Sequence, residues 1–63
     1  MTTAEFHTRG LVLDALTALK SAHEELLNGN HQRADIYLQK GWILIQEART
    51  ETAKLATRPP SRP

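Results

Sequence analysis

The chain has 63 residues, a formal net charge of +1 and no cysteine, which excludes disulfides, zinc–thiolate sites and thiol nucleophiles. A chain of this length buries only about 60% of the surface that its unfolded form exposes, so it is marginally stable alone. Helix packing and oligomerisation are the remaining sources of stability.

The charge distribution argues against a duplex-binding module. Eight Lys and Arg stand against seven Asp and Glu, and two of the eight, Arg58 and Arg62, lie in a proline-rich tail. A duplex-binding module usually carries a basic excess on one face. No apolar run approaches the roughly 20 residues that span a bilayer, and the N-terminus lacks the pattern of a signal peptide. We therefore expect a soluble, cytoplasmic protein without a membrane partner.

The first predicted helix covers about residues 3–27 and begins at a capping box. Thr2 and Glu5 have the three-residue spacing at which each side chain bonds the backbone N–H of the other residue. Met1 and Phe6 occupy the positions of a hydrophobic staple around that cap. No proline interrupts the helix, and Ala, Leu, Lys and Glu dominate its composition.

A turn at 28–30 separates this helix from a second one, predicted for about 31–56. Gly29 suits the left-handed residue after a helix C-terminus, and Asn30 suits the N-cap of the next helix. Prolines end the second helix, and residues 58–63 are predicted to be a disordered Pro/Arg tail. So short a connection makes the helices antiparallel neighbours. The fold is predicted to be an all-α, antiparallel two-helix hairpin.

Within this hairpin, predicted over residues 1–57, one stripe on each helix is expected to form the packing seam. On the second helix, Gly41 and Ala48 belong to a heptad pattern typical of helix-on-helix packing. Folding the chain about the turn places Leu16 near Gly41, so that a large residue meets a small one. The predicted core of the hairpin and its dimer consists of Val12, Leu16, Leu19, Leu26, Leu38, Gly41, Ile45 and Ala48.

The chain has more large apolar residues than one seam needs. At about 100° per residue, Ile36 and Ile43 lie almost opposite the seam of the second helix, and Trp42 lies on one flank. Exposing all of them would make an unusually large apolar patch. A second hairpin would cover most of this surface, and two-fold dimers are the commonest oligomers. We therefore expect a homodimeric four-helix bundle.

One dimer interface does not cover every side of a helix, so part of the second helix is predicted to bind another protein. Tryptophan and tyrosine are favoured anchors of binding hot spots. The predicted partner-binding residues are Ile36, Tyr37, Gln39, Lys40, Trp42 and Ile43. The alternative for Trp42 is a place in the dimer core. The alternative for Tyr37 is packing along the seam with its hydroxyl in water.

Residues that could carry catalysis or bind a metal are not arranged for either role. No two of the three histidines are spaced i, i+3 or i, i+4 on one helix. His31 and Asp35 are four apart, a spacing that usually gives a local contact. His23 falls on the apolar stripe, where a buried histidine is a pH switch and a half-buried one reaches solvent. We predict no enzyme activity, no cofactor and no metal site.

The plan of helix, turn at 28–30 and helix, with Ala34, Gly41 and Ala48 on a heptad seam, resembles the Rop family. Those proteins are plasmid copy-number regulators that form antiparallel four-helix dimers and bind paired RNA loops. The resemblance covers residues 2–56 and is architectural, so no RNA-binding residues are transferred. It implies an RNA-binding regulator as the alternative function.

Nucleic-acid binding would use the basic residues Arg9, Lys20, Arg33, Lys40 and Lys54. A dimer would double such clusters, and RNA recognition by shape can use them. Acidic residues are interspersed among them, however, and ordinary charges for solubility explain the pattern more simply. We rank a nucleic-acid partner below a protein partner.

The short cysteine-free hairpin, with Tyr37 and Trp42 near the middle of its second helix, is similar in kind to small inhibitors made by bacterial viruses. Among them are the quorum-sensing anti-activators of Pseudomonas phages, helical dimers that bind and disable host regulators. The resemblance implies a non-enzymatic homodimer that inhibits another protein, such as a host regulator, in the host cytoplasm. A purely structural assembly module is the third class considered.

Overall fold

In the computed structural model, which describes residues 2–57, the chain folds into two long helices joined by a tight turn. Helix α1 spans Thr3–Leu27 and helix α2 spans His31–Thr57. The two helices pack against each other, so the predicted two-helix hairpin is confirmed. The predicted tail at 58–63 lies outside the described residues, as does Met1 of the predicted staple.

Helix α1 begins at the predicted capping box, which is confirmed. The backbone N–H of Glu5 donates to the Thr2 hydroxyl at 3.2 Å, and the backbone N–H of Thr2 donates to the Glu5 carboxylate at 2.7 Å. These bonds satisfy backbone donors that have no partner inside the helix. They hold the start of α1 at Thr3.

The turn closes with a Schellman motif. The N–H of Asn30 donates to the carbonyl of Glu25 at 2.8 Å, and the N–H of Gly29 donates to the carbonyl of Leu26 at 3.1 Å. Gly29 has a φ of 76°, the left-handed conformation predicted for it. The Asn30 carbonyl accepts from the N–H of Ala34 at 2.9 Å, which starts α2. The Asn30 side-chain amide donates to the Glu25 carboxylate at 2.7 Å across the turn.

The seam between the helices is lined by small residues. An added Cβ at Gly41 would lie 3.2 Å from Leu19 Cδ2 and 3.7 Å from the Cβ of Ala18, so the helices approach closely there. No large side chain is fully buried within residues 2–57. The buried residues are Thr8, Ala15, Ala18 and Ala22 on α1 and Ala34, Gly41 and Ala48 on α2.

The register of this seam corrects one prediction. Gly41 faces Leu19 and Ala18, so the predicted pairing of Leu16 with Gly41 is wrong by about one helical turn. The physical reason is that Leu19 and the alanines of α1 face α2, whereas Leu16 points away from the seam and is 57% exposed. Small residues allow the two backbones to approach, and the larger side chains are displaced to the edge of the seam.

Candidate interaction surfaces

One broad face of the hairpin exposes large apolar side chains from both helices. Val12 and Leu16 of α1 are 45% and 57% exposed. Together with Ile45 of α2 they border an open groove whose floor includes the buried Ala15 and Ala48. Large side chains at the rim of a floor of alanines make a surface that a second helical layer can pack into.

The same face extends towards the turn. Leu26 follows Leu19 by seven residues, and Leu38 precedes Ile45 by seven, so each pair shares one helical stripe. Trp42 precedes Ile45 by three residues and is 62% exposed. We define the apolar face by the residues Val12, Leu16, Leu19, Leu26, Leu38, Trp42 and Ile45.

The opposite broad face of the hairpin is polar. Its groove is lined from α1 by Asp14, Thr17 and Ser21 and from α2 by Tyr37 and Lys40, among others. Tyr37 is half-buried at this groove. The two faces of the hairpin thus differ sharply in chemistry, and only one of them resembles an uncovered core.

A third surface lies on the outside of α2, away from α1. Ile36 and Ile43 are 64% and 59% exposed. Gln39 and Lys40 lie between them, so the four residues have the i, i+3, i+4, i+7 spacing of one helical face. We call Ile36, Gln39, Lys40 and Ile43 the outer ridge. This spacing is the one that helices use when they lie in a groove of another protein.

The six predicted partner-binding residues therefore do not share one side of α2. Four form the outer ridge, of which Lys40 also borders the polar groove. Tyr37 lines the polar groove, and Trp42 lies at the edge of the apolar face. Their assignment to partner binding stays a prediction, and the structure divides it among three surfaces.

The eight predicted core residues divide in a similar way. Gly41 and Ala48 are buried in the seam. Leu19 and Ile45 are half-buried at its edge. The other four are exposed on the apolar face of the single chain, where only a second molecule can bury them: Val12, Leu16, Leu26 and Leu38. Their place in a dimer core stays a prediction.

Arg49 is a residue of this surface that the sequence analysis did not single out. It lines the groove of the apolar face and is the one charged residue among those lining it in the described chain. No hydrogen bond or ion pair involves it within residues 2–57. The signal was available, because Arg49 follows Trp42 by seven residues and shares its stripe.

The basic residues of α2 are mixed with acidic ones. Arg33, Lys40 and Lys54 share a side of the helix with Glu47 and Glu51, and the Lys54 ammonium lies 3.4 Å from the Glu51 carboxylate. This mixture does not form the continuous basic surface that phosphate backbones favour.

The described part of the chain holds no group of three or more His, Asp or Glu side chains placed to hold a metal ion. Neither of its helices is long and apolar enough to cross a membrane. Comparisons with protein-family models, with curated proteins and with solved structures gave no match.

Proposed function

We propose that this chain is a non-enzymatic, homodimeric protein-binding module that modulates the activity of another protein. The observation that carries the proposal is that small side chains are buried between the helices while large apolar side chains are exposed. The buried residues of the hairpin are alanines, Gly41 and Thr8, and most of the large apolar side chains are exposed. Burying large apolar surface is the main driving force of association between proteins.

The proposal assigns different partners to the two apolar surfaces. The apolar face runs across both helices and has the size of one hairpin layer, so a second hairpin fits it and completes a four-helix bundle. The outer ridge is a narrow stripe on one helix, which fits a groove in a different protein. Ile36 and Ile43 are its apolar anchors, and Gln39 and Lys40 provide polar contacts.

For Trp42 the geometry favours the dimer. It lies at the edge of the apolar face, three residues from Ile45, and not on the outer ridge. Of the two roles that the sequence left open, we therefore propose the one in which Trp42 packs against the second copy. Large aromatic side chains supply much of the stability of such interfaces.

The experiment that tests partner binding uses variants of the outer ridge in capture from a lysate of the producing cells. Ile43→Asp places a charge at an apolar anchor, and it is expected to reduce capture of the partner by at least about tenfold. Thr50→Asp is the control, because it places the same charge at an exposed position of α2 about 10 Å beyond Ile43 and outside the outer ridge. We expect it to capture the same protein as the wild type.

Light scattering on all three proteins separates partner binding from dimer formation, since the outer ridge lies away from the apolar face. A partner captured equally well by Ile43→Asp would contradict the assignment of the outer ridge. Capture of RNA instead of protein, weakening steeply with salt, would favour the alternative function.

A further inference from the structure

On α2, an acidic and a basic residue lie at equal distances on either side of Trp42. Asp35, Trp42 and Arg49 are spaced seven residues apart and therefore share one stripe beside the apolar face. Seven residues span about 10 Å of helix, so the two charges lie at equal distances on either side of Trp42. Arg49 has no ion-pair partner within residues 2–57, and Asp35 accepts one hydrogen bond, from Gln39 Nε2 at 3.0 Å.

On α1, the apolar residues are spaced about a point through which a two-fold axis can pass. Leu16 and Leu19 are neighbours on one stripe, with Val12 four residues before Leu16 and His23 four residues after Leu19. If α1 packs antiparallel against a second α1 about this centre, Leu16 of each copy meets Leu19 of the other. The centre lies midway between positions 16 and 19.

The two centres lie at the same height along the hairpin. Gly41 faces Ala18 and Leu19 across the seam. Because α2 runs antiparallel to α1, Trp42 is one residue further down, level with positions 17 and 18. One two-fold axis, lying along the apolar face and perpendicular to the helices, can therefore pass both Trp42 and the midpoint between positions 16 and 19. This agreement is not required by the fold of one chain.

We propose that a second copy of this chain covers the apolar face in an antiparallel arrangement, with the two turns at opposite ends and Asp35 of each copy paired with Arg49 of the other. The inference rests on the proposed homodimer and adds its geometry. Trp42 of both copies then lies at the two-fold axis, flanked by Leu38 and Ile45. Two charge pairs close the ends of this apolar centre.

The other two-fold arrangement, with both turns at the same end, places no acidic residue opposite Arg49. It places α2 of one copy over α1 of the other at equal heights. Arg49 is then level with Arg9 and Val12, a cation and an apolar residue. Asp35 is about 21 Å from Arg49 along its own helix, so the two groups do not meet, and Asp35 is level with His23 and Leu26 of α1. Since only the antiparallel arrangement places a carboxylate opposite Arg49, charge complementarity favours the antiparallel dimer.

The test is a double-mutant cycle on the dimer dissociation constant, measured on the full chain by sedimentation equilibrium. Asp35→Arg or Arg49→Asp alone brings like charges together at both ends, and each is expected to raise the constant by about tenfold. The doubly substituted chain restores both pairs with reversed sign, and its constant is expected within about threefold of wild type. Because the two positions are far apart in one chain, coupling between them arises only between copies.

Asp14→Arg is the control, because it makes the same change in charge on the polar face of the hairpin. It is expected to leave the dissociation constant unchanged, and circular dichroism checks the helicity of every variant. A dimer in which the double substitution restores nothing would overturn the antiparallel arrangement but not the homodimer. A wild-type chain that stays monomeric at every concentration would overturn both.

Disulfide capture tests the same geometry without relying on charge. The chain has no cysteine of its own, so Asp35→Cys and Arg49→Cys chains can be mixed and oxidised. The antiparallel arrangement predicts cross-links between the two kinds of chain, because the two copies of position 35 are about 21 Å apart. Preferential linking of Asp35→Cys chains to each other would overturn the proposal.

Discussion

Gly10 and Gly41 both lie inside helices, but their surroundings differ. A Cβ added at Gly10 would meet nothing within 4 Å, whereas one added at Gly41 would lie 3.2 Å from a methyl carbon of Leu19. Alanine is favoured over glycine by about 0.8–1 kcal/mol inside a helix. At Gly41, Leu19 has to move by a few tenths of an ångström, which offsets part of that gain.

We therefore expect Gly10→Ala to raise the free energy of unfolding by about 0.8 kcal/mol and Gly41→Ala to raise it by less. Chemical denaturation at one fixed protein concentration measures both values, since the proposed dimer would make stability depend on concentration. Equal gains at the two positions would show that the helices are not in close contact at Gly41.

Gly29 differs from both because its backbone, and not its surroundings, excludes a side chain. Its φ of 76° lies in the left-handed region, and a Cβ there would meet nothing within 4 Å. Gly29→Ala is expected to lower the free energy of unfolding by about 1 kcal/mol. Gly29→Asn is the matched variant and should lose less, because asparagine tolerates this conformation. Equal losses would contradict the left-handed turn.

At the scale of the helices, the capping box fixes where α1 begins. Thr2→Ala removes the hydroxyl that accepts from the Glu5 N–H, and it is expected to lower the free energy of unfolding by about 1 kcal/mol. Thr3→Ala is the control, because Thr3 lies inside the helix and is exposed. Amide hydrogen exchange should show faster opening of the first turn in Thr2→Ala only. Faster exchange in both variants would mean that the capping box is not what protects the amides of the first turn of α1 from exchange.

The sequence allowed the helices, the cap and the turn to be predicted because each depends on residues close in the chain. Thr2 with Glu5 and Gly29 with Asn30 are local signals of this kind. On α2 the small residues of the seam were predicted, whereas the alanines of α1 that are buried against them were not. Neighbouring stripes of α1 hold alanines and leucines, and periodicity alone does not show which stripe faces the same chain and which faces another molecule.

At the scale of the whole molecule, two leucines provide a matched test of the apolar face. Leu16 and Leu13 are 57% and 59% exposed in the hairpin, yet they lie on different sides of α1. Leu16 borders the groove of the apolar face, whereas Leu13 is about 60° further round the helix and does not line that groove. Because the two side chains are equally exposed in the single chain, burial within the hairpin does not explain a difference between the effects of substituting them.

Leu16→Lys is expected to prevent the proposed dimer, because in that dimer it would bury an uncompensated charge beside Leu19 of the second copy. Leu13→Lys is expected to leave a dimer with a dissociation constant within about threefold of wild type, since its side chain stays in water. Light scattering across a dilution series measures both, and circular dichroism follows the helices. A dimer lost in Leu13→Lys but kept in Leu16→Lys would place the interface on the outside of α1 and refute the apolar face as the contact between copies.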